Sequence, residues 1–141
     1  MVKLLLKQQK KVYLIDANVI LRYLLDDHKT HSPKAKAFMS EVFAGSKKAE
    51  IFDVVIVECI YVMEKYYEIP RSEISAKLSG ILNFSGIINS DRSELLEALL
   101  KYGSTSIDIV DCILVAHSSA EKVVVSFDND MKKLKAVCEI L

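Results

Sequence analysis

The chain has 141 residues, 51% of them hydrophobic, and its nineteen basic and nineteen acidic side chains cancel to a formal charge of zero. That size and composition imply one globular domain with one core, burying about two-thirds of the unfolded surface. They exclude the global basic field that many nucleic-acid binders carry, so a polyanion would have to be held locally or through a cation.

The chain opens on MVKLLLKQQKK, residues 1–11, a basic arm whose three leucines are too few for a signal-peptide core or a membrane span. Lys7, Lys10 and Lys11 could touch phosphate, although charge near a terminus is usually a solvated extension. The domain proper is expected over 12–141. It begins with VYLIDANVI, whose β-branched and aromatic residues predict a strand over 12–16 ending on Asp16. An acid at the carboxyl end of a buried strand is how an open α/β sheet presents a functional group, because ligands bind beyond those strand ends. A short helix follows over 17–25, closed by Asp26-Asp27-His28. His28 and His31 flank a loop without metal-ligand spacing and read as exposed. Ser32 as N-cap and Pro33 at the first position start a helix with Ala35, Phe38, Met39, Val42 and Phe43 on one buried stripe, stopped by Gly45.

After a polar connection at Lys47, Lys48 and Glu50, IFDVVIVECIYVMEKYY predicts a strand at 51–53 and a helix to about Tyr67. Its acids and the following Pro70 rule out a membrane span. Glu58 lies among Val57, Cys59, Ile60 and Tyr61, where a carboxylate costs several kcal/mol unless it is compensated. It is therefore a candidate site residue, with pairing to a cation such as Arg22 as the structural alternative. Residues 70–84 predict a helix with Ile74, Leu78, Ile81 and Leu82 inward, and 86–89 a short strand. Asp91 with Glu94 reads as a capping box for a helix through Leu95, Leu96, Leu99 and Tyr102, closed by Gly103. The helix in SIDIVDCILVAHSS is apolar over 109–116 except for Asp111; Asp108 is explained as its cap, whereas Asp111 is not. Val123 to Phe127 predicts a strand buried on both faces, followed by Asp128-Asn129-Asp130 in the layout of Asp16. A short helix and a last strand near Ala136 to Glu139 close the chain. Cys59, Cys112 and Cys138 lie apart in apolar runs and read as reduced core thiols of a cytoplasmic protein.

Asp16 and Asp128 at two strand ends, and Glu58 and Asp111 each on an otherwise apolar helix, suggest one crevice of four acids. Carboxylates within about 6 Å repel one another, and a divalent cation removes that conflict. Oxygen-only ligands select Mg²⁺ or Mn²⁺ over Zn²⁺. The matching reaction is metal-assisted hydrolysis of a phosphodiester, with a phosphoryl oxygen polarised and the attacking water made more acidic.

The ordered series LIDANVI, VECIYVMEKYY, VDCILVAHSS and VVSFDNDMKKL resembles the PIN-domain nucleases, most closely the VapC-type ribonuclease toxins of prokaryotic toxin–antitoxin pairs, from Val12 onward. The resemblance implies a three-layer α/β/α fold around a five-stranded parallel sheet, Mg²⁺ or Mn²⁺, cleavage of RNA, a homodimer and inhibition by a small antitoxin protein. It puts the family's acids at Asp16, Glu58, Asp111 and Asp128, with Asp16, Asp111 and Asp128 as metal ligands. Asn18 would help orient the first acid, Ser126 stands where relatives carry Thr or Ser, and Asp108 and Asp130 would be supporting acids. The basic arm is a departure, since such proteins usually begin almost at the first strand. A phosphoacceptor receiver domain would need paired acids after the first strand and a late Lys, where this chain has Asp128. A haloacid-dehalogenase-type phosphatase would need Asp-x-Asp in place of Asp16-Ala17-Asn18. A PIN-like module that acts by binding RNA or a protein partner is the remaining alternative.

Overall fold

The computed structural model describes residues 11–134 and 137–141, so the expected basic arm, apart from Lys11, lies outside the described residues. The fold gathers into two compact units: the described residues up to Val62 with Gly80–Ser90, and Met63–Ser79 with Asp91–Leu141.

In the first unit, β1 (Val12–Leu14) pairs in parallel with β2 (Lys48–Glu50), Tyr13 opposite Ala49, and Ile15 N–H continues the ladder to the Glu50 carbonyl at 3.2 Å. Ala49 also bridges Ile87 in parallel, which puts β2 between β1 and the 86–88 segment. The second strand therefore falls at 48–50, not at 51–53. Lys48 is exposed while Ala49 is fully buried, so the polar residues mark a strand's outer face where a connection was expected. The strand stops because Ile51 finds another partner: its N–H donates to Asn89 Oδ1 at 2.9 Å and its carbonyl accepts from Asn89 Nδ2 at 2.6 Å. A side-chain amide thus takes the place of a ladder strand, and α3 (Asp53–Lys65) starts two residues on.

Helix α1 (Ala17–Leu25) follows β1 and ends at Asp26, whose left-handed backbone returns its N–H to the Arg22 carbonyl. Helix α2 (His31–Ala44) stops, as expected, at Gly45 with φ 84°. It begins earlier than Ser32-Pro33 predicts, and Thr30 makes no side-chain cap bond. His28 supplies the missing acceptor: its Nδ1 receives the N–H of His31 at 2.9 Å, and its ring stacks on that of His31 with centroids 4.1 Å apart. Ser32 is buried and accepts the N–H of His28 at 3.1 Å. Ala35, Met39 and Val42 are buried as expected, but Phe43 is exposed, its ring edge-on to Phe84 at 5.2 Å.

In the second unit, α4 (Arg71–Leu82) starts after Pro70, with Ile74 and Leu78 buried; its last turn belongs to the first unit, where Ile81 and Leu82 are buried. Helix α5 (Arg92–Ser104) buries Leu95, Leu99 and Tyr102. Asp91 makes no side-chain cap bond, so the expected capping box does not form. Gly103 is inside the helix and does not end it. Its lack of a side chain answers a packing demand instead, because a Cβ there would lie 2.6 Å from Ser75 Cβ on α4. Helix α6 (Ile109–His117) leads to β3 (Val124–Ser126), a 3-10 helix (Asn129–Leu134) and β4 (Cys138–Ile140), parallel to β3 with Val124 opposite Cys138. Val124 packs with Val115, Met131, Leu134, Cys138 and Ile140. Val125 and Phe127 are exposed, so this strand covers one face only, contrary to the expectation of burial on both. The last strand falls at 138–140, and Ala136 lies outside the described residues.

The α/β class is thus established, with every pairing among the described residues parallel. Among the described residues the pairings amount to two parallel pairs and one bridge; they do not join into a single five-stranded sheet. None of the described helices is long and apolar enough to cross a membrane.

Candidate functional site

The first unit carries Asp16, Asn18 and Glu58. Asp16 follows the end of β1, where it is exposed and caps α1, its Oδ1 accepting the N–H of Ala17 at 2.9 Å. Capping leaves the carboxylate further lone pairs that can accept from, or bind, another group. Asp16 and Asn18 line a cleft of about 450 Å³ between β1, α1 and α2, with Arg22, His31 and Lys34 among the other lining residues. None of the three was read from sequence as part of this site: Arg22 was named only as a partner for Glu58, His31 only as an exposed loop residue, and Lys34 not at all. Arg22, four residues beyond Asn18 on the same helix face, carried the only readable signal.

Glu58 departs from its expected setting: it is exposed, on the face of α3 that also exposes Val54 and Tyr61. Burial therefore does not single it out, and Arg22 makes an ion pair with Asp27 at 2.6 Å. What Glu58 shares with Asp16 is proximity to a thiol. Cys59 is buried and directs its Sγ to the Ala17 carbonyl at 3.8 Å. Its pKa is pushed up to about 12, chiefly by burial, then by the charges of Glu58 and Asp16. Both carboxylates act on one thiol of α3, directed at the start of α1.

The second unit brings four acids together. Asp108 caps α6, accepting the N–H of Val110 at 2.8 Å, as its position predicted. Asp111 is half-buried in the first turn of that helix. Ser126 Oγ, at the end of β3, accepts the N–H of Asp128 at 3.0 Å, and Asp128 Oδ1 accepts the N–H of Asp130 at 2.9 Å. Asp130 is exposed and pairs with Lys133 at 3.0 Å. Asp108, Asp111, Asp128 and Asp130 line one cleft of about 360 Å³ with Ser106, Ile107, Met131, Lys133 and Leu134. Ser106 and Lys133 are additions to the expected set.

Electrostatics distinguishes the four. The Asp111 carboxyl is held above the usual carboxylate range, first by burial and then by the negative charges of Asp108 and Asp128. Such a group disfavours its own ionised form until a cation arrives. The donor set is all oxygen, which suits a hard divalent cation, although among the described residues no three His, Cys, Asp or Glu side chains are gathered tightly enough to enclose one.

The family model described as "PIN domain" matches residues 13–137, almost the whole chain. No curated protein matches it significantly.

Proposed function

The chain belongs to the PIN-domain family, whose members are generally metal-dependent nucleases, and from that premise we propose that it is an Mg²⁺- or Mn²⁺-dependent endoribonuclease, the toxin of a type II toxin–antitoxin pair. The observation that carries the nuclease reading is the acid cleft of the second unit, with Asp111 raised by Asp108 and Asp128. A bound divalent cation would supply polarisation of the phosphoryl oxygen and a more acidic water. In this proposal Asp111 and Asp128 are ligands, Asp16 is the third ligand and Glu58 the fourth acid, as the sequence order suggests. Asp108 keeps the first turn of α6 in place, Ser126 fixes the backbone at Asp128, and Asn18 orients Asp16. The VapC-type assignment, a five-stranded sheet, a homodimer, an antitoxin partner and a cytoplasmic site of action rest on the four ordered motifs alone.

Purified protein is expected to cleave RNA with Mg²⁺ or Mn²⁺, to lose this with EDTA, and to lose it again in Asp16→Asn with the fold intact. Metal-independent cleavage, or a fully active Asp16→Asn, would sink the mechanism. RNA binding without cleavage would favour the binding-module alternative. The toxin role is tested separately, by growth arrest on expression and its relief by a short reading frame encoded upstream; no arrest and no such neighbour would favour RNA processing.

A further inference from the structure

Arg71, the first residue of α4, gathers the chain that leaves α5 and enters α6. Its Nε donates to the carbonyls of Tyr102 at 3.0 Å and Thr105 at 2.9 Å, and one terminal nitrogen donates to the carbonyl of Ile107. The other terminal nitrogen stands 3.6 Å from Glu64 Oε1. The guanidinium carbon lies 3.8 Å from the centre of the Tyr102 ring, whose hydroxyl donates to Glu64 Oε2 at 3.1 Å. The fork is therefore held by a ring face and a carboxylate while it takes three carbonyls of a single six-residue stretch.

Carbonyls at and beyond a helix end have no partner within the helix, and an arginine can satisfy them for stability alone. The destination of this stretch argues for more. Ile107 lines the acid cleft; the next residue, Asp108, caps α6, and Asp111 is one turn further on. Shifting the 105–107 chain would carry both acids with it. A planar guanidinium fixes several acceptors at set spacing, which a lysine ammonium does not.

We propose that Arg71 is a positioning residue of the acid cleft, fixing the Tyr102–Ile107 chain so that Asp111, on the helix that Asp108 caps, meets a divalent cation at a set separation from Asp128. The ligand named here rests on the nuclease reading above; the clamp does not.

The test compares wild type, Arg71→Gln and Arg71→Lys by hydrogen exchange of the metal-free proteins and by Mn²⁺ titration followed by electron paramagnetic resonance. Arg71→Gln is expected to stay folded, to lose tenfold or more of the amide protection at Ile107 and Val110, and to bind Mn²⁺ at least tenfold more weakly. Arg71→Lys is expected to fall between, and carries the test if the glutamine variant does not fold. Undiminished protection at both amides would overturn the clamp whatever the metal does. Lost protection with Mn²⁺ affinity within twofold of wild type would make Arg71 a structural residue only. Lost protection in a protein whose wild type binds no Mn²⁺ would overturn the metal reading and, with it, the role assigned to the clamp.

Discussion

Gly86→Ala should destabilise the first unit severely, and the structure gives the reason in distances. A Cβ at Gly86 would lie 2.1 Å from the Lys47 carbonyl oxygen, 2.5 Å from that of Val42 and 3.1 Å from Val42 Cα. All three are backbone atoms, so no rotamer change relieves the clash. Separation requires moving the 86–88 segment by about 1 Å, since ordinary carbon–oxygen contact begins a little beyond 3 Å. That movement threatens the bonds from Gly86 N–H to the Val42 carbonyl and from Ala49 N–H to the Gly86 carbonyl, both 2.8 Å. Overpacking costs about 1–3 kcal/mol, and two weakened buried hydrogen bonds about 1 kcal/mol each. The total is about 3–5 kcal/mol, or roughly 10–20 °C in Tm for a chain of this size. Thermal melting by circular dichroism reads it directly. A Gly86→Ala protein melting within about 2 °C of wild type would refute the close approach of these backbones.

Gly103→Ala clashes with side-chain atoms, Ser75 Cβ at 2.6 Å and Oγ at 2.8 Å, while the backbone Cα of Ser72 stands at an ordinary 3.5 Å, and Ser75 Oγ donates to the Leu99 carbonyl at 2.7 Å. A smaller loss of about 1–3 kcal/mol is expected, and Ser75→Ala in the same background should recover little of it, because Cβ remains; chemical denaturation of both variants checks this. At Asp111 the sign is opposite. Its carboxyl is raised by burial, Asp108 and Asp128, so the folded chain disfavours the ion; the stability cost appears as pH rises above 3.8 and is complete once pH has passed the raised folded-state value. Asp111→Asn should therefore melt at or above the wild-type temperature without metal, while losing most of the rise in Tm that Mn²⁺ gives wild type; an equal rise in both would exclude Asp111 as a ligand. The thiols of Cys59 and Cys112 are pushed up to about 12 and about 11, each first by burial. Both should resist iodoacetamide at pH 8 while half-exposed Cys138 is labelled, as peptide mass spectrometry would show. Because these folded-state values exceed the free-thiol value of 9.0, stability falls as pH rises from about 9 to 12, and denaturation midpoints at pH 8 and 10.5 report it.

Helix positions were legible in the sequence because burial repeats at helical spacing: Ile74, Leu78, Ile81 and Leu82 are all buried as read. Asp108 was legible as a cap because capping needs only local geometry. Two of the errors arose where a distant partner replaces a local one. Asn89, 38 residues from Ile51, ends the second strand, and no pattern around 48–53 announces it. Gly103 carries the chemistry of a helix stop, yet Ser75 requires its small size inside the helix. The imidazole of His28 caps α2 where Ser32 was expected to, and a preference scale for caps does not include that option.

Glu58 and Asp111 read alike in sequence, each an acid in an apolar helix, and the fold separates them. Glu58 faces solvent. Asp111 is half-buried beside two like charges, so its ionisation is opposed by its surroundings. A cation in that cleft relieves repulsion that exists before it binds, and part of its binding free energy comes from that relief. Of the acids considered, Asp111 should therefore couple most strongly to metal, and Glu58 should affect the reaction more than the affinity of the ion. Mn²⁺ titrations of Asp111→Asn and Glu58→Gln decide it. A larger loss of affinity in Glu58→Gln would reverse the assignment.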